Sequence, residues 1–414
     1  MIRRLEVLVI SVVLIVAAFS TGLAYLFYLV YLGILVVGGS YVLTRLGLAD
    51  LEAGYAVSRL NGHVGDELRV TYTVRHVGRI PKPWLEIHNP TDLPTGLPAR
   101  AITLPGKTER SWLVRLPLSR RGTFTVDPLL IRTGDPFGLF ESSASVGDGV
   151  DVTVYPRIEQ LPLWRLPSAN LEGAHAAPER TLQTTPLATS IRPWAPGDSF
   201  NRIHWKSTAR HGEIQVKEFD LEQTADVWVV LDLDASVQAG EGEESTVEVG
   251  VRAAASVADR AILENRALGV TINASHQTVL QADRGGRQRT KVMQLLAAVE
   301  GDGANPLAEA LITTLPRLRS GMTAVVITPS LDRSWVRPLG MLRGQGVSCV
   351  VIALDRLSFG EAAARHAWPP TAVSEEERQA AADGMRALRH AVAEYGLPFH
   401  VVPAGVPLAE ALRS

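Results

Sequence analysis

An uncharged apolar stretch near the N-terminus constrains this chain more than any other feature. No charged residue occurs between Val7 and Leu43. As a single helix this stretch would be about 55 Å long at 1.5 Å per residue, whereas the hydrocarbon core of a bilayer is about 30 Å thick. Two membrane spans joined by a tight turn fit better. The turn is expected at Ser20, Thr21 and Gly22, because glycine and small hydroxyl residues tolerate a break.

Basic residues on either side of this stretch predict its orientation. Arg3 and Arg4 precede the first span, Arg45 follows the second, and the turn carries no Lys or Arg. The positive-inside rule places both ends in the cytoplasm. The sequence therefore predicts a multi-pass cell-membrane protein with a transmembrane hairpin over residues 1–48 and cytoplasmic soluble domains. A cleaved signal peptide is the alternative, since two arginines before an apolar stretch resemble one, but a second spanning run favours the hairpin.

Composition excludes several classes of protein. With 46% apolar and 20% charged residues, the chain is not a disordered one, and its length suggests two or three domains. A formal net charge of -2 argues against a nucleic-acid partner. The single cysteine, Cys349, rules out an internal disulfide framework and a zinc site built from cysteines.

Residues 49–157 show the short alternating runs that are typical of an antiparallel β-sandwich. Apolar and polar residues alternate over Leu68–Val74, and Trp112–Leu116 and Thr123–Val126 show a similar pattern. Turn signals rich in Gly, Pro, Asn and Asp separate these runs, as expected for an antiparallel sandwich. The proline-containing stretch 158–189 shows little periodicity, which predicts an extended linker.

The segment 190–222 combines charged and aromatic residues at high density. Asp198 is expected to cap a short helix that begins near Phe200. His204 and Ser207 lie one helical turn apart, which invites a serine–histidine catalytic interpretation with Asp198 as the acid. Spacing alone supplies neither an oriented base nor oxyanion donors. We therefore expect a hydrogen-bonded structural or partner-binding element without catalytic residues.

The same segment carries an arginine, an aromatic residue, Pro-Gly-Asp, Arg-x-Ile-x-Trp and Ser-x-Ala-Arg. These positions are Arg192, Trp194, Gly197, Asp198, Arg202, Trp205, Ser207 and Arg210. The pattern resembles the signature of the family called domain of unknown function 58, which usually has tyrosine where Trp194 stands. The resemblance implies a von Willebrand factor A-like domain at the C-terminus and a MoxR-type AAA+ ATPase as partner. It implies no molecular activity.

Residues 223–414 alternate apolar strands with helices, which is typical of a doubly wound α/β sheet. Strands are predicted at Val227–Leu233, Gly269–Ile272, Ala324–Thr328, Ser348–Leu354 and Phe399–Val402. Helices are predicted at Thr246–Asn265, Lys291–Val299, Leu307–Leu315 and Glu375–Tyr395. The whole chain is thus expected to be an α+β multidomain protein.

Oxygen-bearing side chains follow the first of these strands, at Asp232, Asp234 and Ser236. A von Willebrand-type metal site has serine where Asp234 stands, and it takes a threonine and an aspartate from later loops. Here Asn305 stands near the threonine position, and the nearest acid, Asp332, is displaced. Mg²⁺ prefers oxygen ligands and keeps several waters, so we expect weak Mg²⁺ binding or none, and no other cofactor.

These observations predict a membrane-anchored cytoplasmic scaffold or adaptor that is not an enzyme. Its partners would be the lipid bilayer and proteins. The alternative is a Mg²⁺-dependent phosphohydrolase of the haloacid dehalogenase type, with Asp232 as nucleophile and Asp234 as general acid/base. Thr328 would suit its phosphate-binding hydroxyl. Against it, only Asp355 follows the next strand, so the acidic pair that would hold Mg²⁺ is missing.

Overall fold

The computed structural model describes residues 2–167, 190–195, 198, 200–218, 226–367 and 373–413. The chain divides into two compact units. One comprises residues 1–157 and 294–298, and the other comprises residues 158–293 and 299–414.

Two helices form the N-terminus, α1 (Ile2–Thr21) and α2 (Ala24–Gly47). The chain breaks at Gly22, whose φ of +67° lies in the left-handed region that glycine adopts without strain. In length and composition α2 suffices to cross a membrane, a property shared by anchors and signal sequences. Among the fully described residues of α1, the apolar stretch is Val9–Thr21. The structure therefore supports one apolar N-terminal helix as a membrane anchor or signal sequence, and it does not support the multi-pass prediction.

The rest of the first unit consists of ten strands. They are β1 (Leu51–Val57), β2 (Asn61–His63), β3 (Glu67–His76), β4 (Lys82–His88), β5 (Arg100–Leu104), β6 (Glu109–Pro117), β7 (Gly122–Val126), β8 (Leu129–Gly134), β9 (Glu141–Val146) and β10 (Val150–Tyr155). They form sheets of order β1-β3-β6, β2-β10-β7 and β5-β4-β8-β9. All neighbours are antiparallel except β2 and β10.

Strands from all three sheets contribute to one apolar core. Alternation along β3 places its apolar side chains on the buried face, as the sequence pattern predicts. The core side chains include Leu68, Val70, Leu85, Ile87, Leu104, Leu129, Ile131, Val152 and Val154.

The remaining elements follow in chain order. They are β11 (Ser190–Pro193), α3 (Trp205–His211), β12 (Gln215–Glu218), β13 (Val227–Asp232), α4 (Thr246–Leu263), β14 (Leu268–Asn273), β15 (Gln277–Asp283), α5 (Gly285–Ala298), α6 (Leu307–Thr314), β16 (Thr323–Thr328), α7 (Val336–Gly344), β17 (Ser348–Leu354), α8 (Arg356–His366), α9 (Glu375–Glu394), β18 (Phe399–Val402) and α10 (Leu408–Ala411).

Six of these strands form one sheet of order β15-β14-β13-β16-β17-β18. Its pairs are parallel except β14 with β15. Every residue of β13, β14 and β16 is buried, which explains their continuous apolar sequences. The strand of this sheet that comes first in the sequence, β13, lies inside the sheet, and the strand order reverses between β13 and β16.

Helices cover the sheet. Gly250 of α4 lies against Leu231 and Leu354, because a Cβ at position 250 would be 3.3 Å from a methyl group of each. Residues of α6, α7 and α9 instead share a core with Trp228 and Val230. Since successive side chains of a strand point to opposite faces, Trp228 and Val230 lie on the face opposite Leu231.

The first ten residues after the unit boundary pack within the second unit. Leu161, Trp164 and Leu166 are buried. The Glu159 carboxylate pairs with Arg252 of α4 at 3.3 Å, and both side chains are mostly buried. The rest of the predicted linker, 168–189, lies outside the described residues.

Candidate functional site

A small folded element carries the sequence motif. Strands β11 and β12 pair antiparallel, with Arg192 opposite Val216. Val216 and Ile203 are buried and form a bridge, and the His204 N–H donates to the Gln215 carbonyl at 2.7 Å. These contacts attach α3 to the strand pair.

A bidentate ion pair fixes the loop of this element. The Arg192 guanidinium donates to both Asp198 carboxylate oxygens, at 2.7 and 2.8 Å. The Ala195 N–H donates to the same carboxylate at 2.9 Å, and the Trp194 indole N–H donates to the Asp198 carbonyl at 3.4 Å. Asp198 is thus the central acceptor of the loop, because bidentate arginine–carboxylate pairs add geometric specificity to energy.

His204 and Ser207 contact each other, and this contact caps the N-terminus of α3. The Ser207 backbone N–H donates to His204 Nδ1 at 3.2 Å, and the Ser207 hydroxyl lies 2.8 Å from the same nitrogen. His204 is the N-cap of α3. Asp198 does not cap α3, which begins at Trp205; a separate short 3₁₀ helix, Phe200–Arg202, begins where the sequence predicts a helix start. The Asp198 carboxylate binds the Arg192 guanidinium and does not orient His204 as a triad acid would.

Large apolar side chains project from this element into solvent. We call Ile191, Phe200, Trp205 and Ile214 the motif surface; their exposed fractions are 44%, 71%, 70% and 42%. Phe200 stacks on Trp194, with ring centroids 6.3 Å apart.

Two cations lie on α3, the helix that begins at Trp205. Lys206 and Arg210 are exposed and stand one helical turn apart on α3. Among the predicted motif residues, Gly197 and the side chain of Arg202 lie outside the described residues. Trp205 is exposed and is not among the buried core residues.

The second candidate site is the edge of the six-stranded sheet where β13 and β16 end. One Asp232 oxygen accepts the Thr328 hydroxyl at 2.7 Å. The other accepts the Asn273 side-chain N–H at 3.1 Å and the Asp234 backbone N–H at 3.3 Å. Asp232 is only 2% exposed. Burial raises the pKa of its carboxyl above the ordinary value, although the hydrogen bonds from Thr328, Asn273 and Asp234 oppose this shift.

Asp234 and Ser236 interact locally. An Asp234 oxygen accepts the Ser236 backbone N–H at 2.9 Å and caps the short turn Ala235–Val237. The Gln238 amide donates to the carbonyls of Asp232 and Asp234. Both predicted carboxylates therefore satisfy loop N–H groups.

The oxygen atoms of the predicted metal site do not fit a resident divalent cation. Both oxygens of Asp232 already accept protein hydrogen bonds, and Asp332 caps its own turn by accepting the Ser334 N–H. Asn305 contributes only its backbone carbonyl, to Asn273 at 2.8 Å. Within the described ranges, no group of three or more His, Cys, Asp or Glu side chains is placed to hold a metal.

Sequence reasoning missed Asn273 as a member of this cluster. Its amide bridges Asp232 and Asn305, and its oxygen is buried without a hydrogen-bond partner. Its position at the carboxyl end of an apolar strand is the signal that would have revealed it, because parallel strands align their carboxyl ends.

An apolar N-terminal helix, several antiparallel sheets and a mostly parallel sheet define a mixed α+β protein. Residues 190–356 match the model of a family described as protein of unknown function DUF58. This match includes the whole motif element and the sheet edge. Residues 190–356 are therefore a DUF58 segment, as the motif resemblance predicts.

Uncharacterized proteins of known sequence are also similar to this chain. The chain is 23% identical over 321 residues to the uncharacterized protein YeaD of Bacillus subtilis, covering 75% of this chain and 77% of YeaD. It is 30% identical over 174 residues to the uncharacterized protein Rv1480 of Mycobacterium tuberculosis, covering 40% of this chain and 53% of Rv1480. Among solved structures, the conserved hypothetical protein BatB of Bacteroides thetaiotaomicron aligns with a TM-score of 0.32 and 15% identity, over 46% of this chain and 95% of BatB.

Proposed function

We propose that this protein is a membrane-anchored adaptor that presents the motif surface to a protein partner. The observation that carries the proposal is the 70% exposure of Trp205 on a helix that is itself held in place. An aromatic side chain of this size is costly to leave in water, and tryptophan is enriched at interaction hot spots. The Arg192–Asp198 pair and the His204 cap keep the surface preorganised, which lowers the entropic cost of binding.

The partner we propose is a MoxR-type AAA+ ATPase. Its identity comes from the family resemblance, and the chemistry of the surface defines what it must offer. Trp205 and Phe200 require an apolar pocket, and Lys206 and Arg210 require acidic residues at the rim of that pocket.

The six-stranded domain is proposed to be von Willebrand factor A-like and doubly wound. Numbered within the domain, its strand order is third, second, first, fourth, fifth, sixth. This order has one reversal point, and doubly wound sheets place their ligand sites there. The Asp232–Thr328 contact lies at that point.

The anchor is proposed to be the α1–α2 hairpin, with everything after it in the cytoplasm. Arg3, Arg4 and Arg45 flank the hairpin, and its turn is uncharged, which supports this orientation. Reporter fusions after Arg45 and at Ser414 should both behave as cytoplasmic. An exported fusion at Ser414 would contradict the orientation.

The phosphohydrolase alternative is disfavoured by the burial of Asp232. A nucleophilic carboxylate must reach the substrate phosphorus, yet this side chain is 2% exposed and hydrogen-bonded at both oxygens. Mg²⁺-dependent hydrolysis of a phosphate monoester that is abolished in Asp232→Asn would nevertheless establish the alternative.

A pull-down of the full chain from detergent extract, analysed for AAA+ ATPases, tests the adaptor proposal. The informative comparison is between the unaltered chain, Trp205→Ala and a control, Met341→Ala, which removes an exposed apolar side chain on α7. We expect the ATPase to be retained by the unaltered chain and by Met341→Ala, and to be lost with Trp205→Ala. Equal retention by all three would exclude the motif surface as the binding site.

A further inference from the structure

The C-terminal third of α2 is attached to the β-rich part of its own unit. The buried residues of this helix are Ser40, Thr44 and Gly47, which share one face at spacings of four and three. Gly47 leaves no room for a side chain, because a Cβ there would lie 2.5 Å from a methyl carbon of Thr133.

A buried lysine completes this attachment. Lys82 is 2% exposed, and its ammonium donates to the Leu46 carbonyl near the end of α2. The last four carbonyls of a helix lack partners within the helix, and the Leu46 carbonyl accepts both this ammonium and the Ala49 N–H. These contacts attach the C-terminal end of α2 to β4 and β8.

The loop Asp135–Phe140 meets α2 at the level of Ser40. The Asp135 carboxylate accepts the N–H groups of Phe137 and Phe140, at 2.9 and 2.6 Å. The Phe140 ring packs edge-on against Tyr41 of α2, with centroids 5.7 Å apart. The loop is thus stabilised by its own hydrogen bonds and packs against the helix.

Helix geometry gives the depth of this loop. Ser40 lies sixteen residues after Ala24, or about 24 Å along the axis, whereas the hydrocarbon core is about 30 Å thick. If α2 crosses the bilayer from Ala24, the level of Ser40 lies about 6 Å inside the near boundary of the hydrocarbon. The loop that contacts Ser40 and Tyr41 must then have an exterior suited to lipid.

The surface around the end of α2 has that character. We call Val77, Ile80, Trp84 and Phe137 the helix-exit rim; they are 43%, 53%, 41% and 57% exposed. The Val77 N–H donates to the Asp50 carbonyl just after α2, and the Thr133 hydroxyl donates to the Trp84 carbonyl.

The cations near the rim suit a lipid surface as well. Arg45 and Arg79 are exposed. Arginine extends its charged end toward headgroups while its stem stays in apolar surroundings, and juxtamembrane basic residues favour anionic lipid.

We propose that the helix-exit rim inserts into the headgroup–hydrocarbon boundary of the bilayer that α2 crosses. This inference rests on the proposed membrane anchor. Phe137 and Trp84 act there as interfacial aromatic residues, which prefer this depth. Together with α2, the rim fixes the β-rich part of its unit in one orientation on the membrane.

Depth-dependent fluorescence quenching tests the proposal on the full chain in phosphatidylcholine–phosphatidylglycerol vesicles. An environment-sensitive dye is attached at Phe137→Cys, at Ile80→Cys in a second variant, at Leu60→Cys as control, and at Ile34→Cys within α2. Leu60 is 54% exposed but lies beyond the far end of β1, about 20 Å from α2 at 3.3 Å per residue. The unaltered chain serves as the blank for Cys349, which is 3% exposed.

We expect quenchers placed near the headgroup to remove most of the fluorescence at positions 137 and 80, and to leave position 60 unchanged. Quenchers deep in the acyl chain should remove the fluorescence at position 34. Quenching at 34 without quenching at 137 and 80 would overturn the rim proposal and leave the anchor intact. No quenching at 34 would refute the anchor itself, and the rim proposal with it. A blue-shifted but unquenched dye at 137 would indicate a protein contact instead of lipid, and would also overturn the proposal.

Discussion

Removing the Asp198 carboxylate should open the motif element locally. Asp198→Ala deletes two hydrogen bonds from Arg192 and one from the Ala195 N–H. Hydrogen bonds to charged groups contribute about 1.5–3 kcal/mol when buried, and exposed ion pairs contribute about 0.2–1 kcal/mol. The Asp198 side chain is 19% exposed and that of Arg192 is 41% exposed. The pair therefore falls between these limits, and we expect a total loss of about 1–3 kcal/mol.

Amide hydrogen exchange is the appropriate assay, because a small element opens without global unfolding. The amide of Trp194, which donates to the Ile214 carbonyl, reports directly on the β11–β12 connection. A loss of about 1–3 kcal/mol corresponds to exchange that is about 5- to 150-fold faster. Asp383→Ala removes the carboxylate of an exposed pair with Arg386 on α9, and should leave this amide unchanged.

A double-mutant cycle identifies the partner. If Arg192 and Asp198 act through each other, Arg192→Ala and Asp198→Ala should be less than additive. Exchange at Trp194 that is unaffected by Asp198→Ala, or effects that add fully, would refute the assignment of Asp198 as the central acceptor of the loop.

Three further results are expected from the sheet edge and the buried core. The raised pKa of Asp232 means that the folded state binds its proton more tightly, so the free energy of unfolding should fall as pH rises from about 4 through the folded pKa. Urea unfolding should show a weaker fall with pH in Asp232→Asn. Identical dependence of the free energy of unfolding on pH in both proteins would contradict this. Millimolar Mg²⁺ or EDTA should change stability by less than about 0.5 kcal/mol, whereas a large Asp232-dependent rise in Tm with Mg²⁺ would demonstrate a working metal site. Burial raises the pKa of the Cys349 thiol to about 12, so Ellman's reagent should react with it only in denaturant, and rapid reaction with folded protein would contradict the described core.

Elements with strong periodicity could be predicted from the sequence. The continuous apolar runs Val227–Asp232 and Thr323–Thr328 are buried on both faces, and such runs leave little choice but an internal parallel strand. The edge strand Gln277–Asp283 was not predicted. Its residues are only partly buried, and a strand with one partner needs no apolar pattern.

Local hydrogen bonds around the motif were harder to predict. Sequence favours aspartate as a helix cap, but a bidentate arginine competes for the same carboxylate and occupies both its oxygens here. His204 then supplies the cap. The exposure of Trp205 was also unpredictable, because aromatic residues in a dense motif are more often packed than presented to solvent.

The sheet edge depends on contacts between residues that are distant in sequence. Asp232 was identified from its place after an apolar strand. Its bonds to Thr328 and Asn273 span 96 and 41 residues, and they follow only from the strand order. Asn273 was therefore missed because the strand order that places it beside Asp232 is not visible in the sequence.

Titration of a purified MoxR-type AAA+ ATPase from the same cells against the full chain in lipid nanodiscs tests the central claim most directly. The account predicts saturable binding that Trp205→Ala weakens by about 30-fold or more, the size of a hot-spot loss of about 2 kcal/mol. Met341→Ala should bind like the unaltered chain, and all three should share one Tm. Binding that is unchanged by Trp205→Ala, or no binding by the unaltered chain, would contradict the proposal that the motif surface receives this partner.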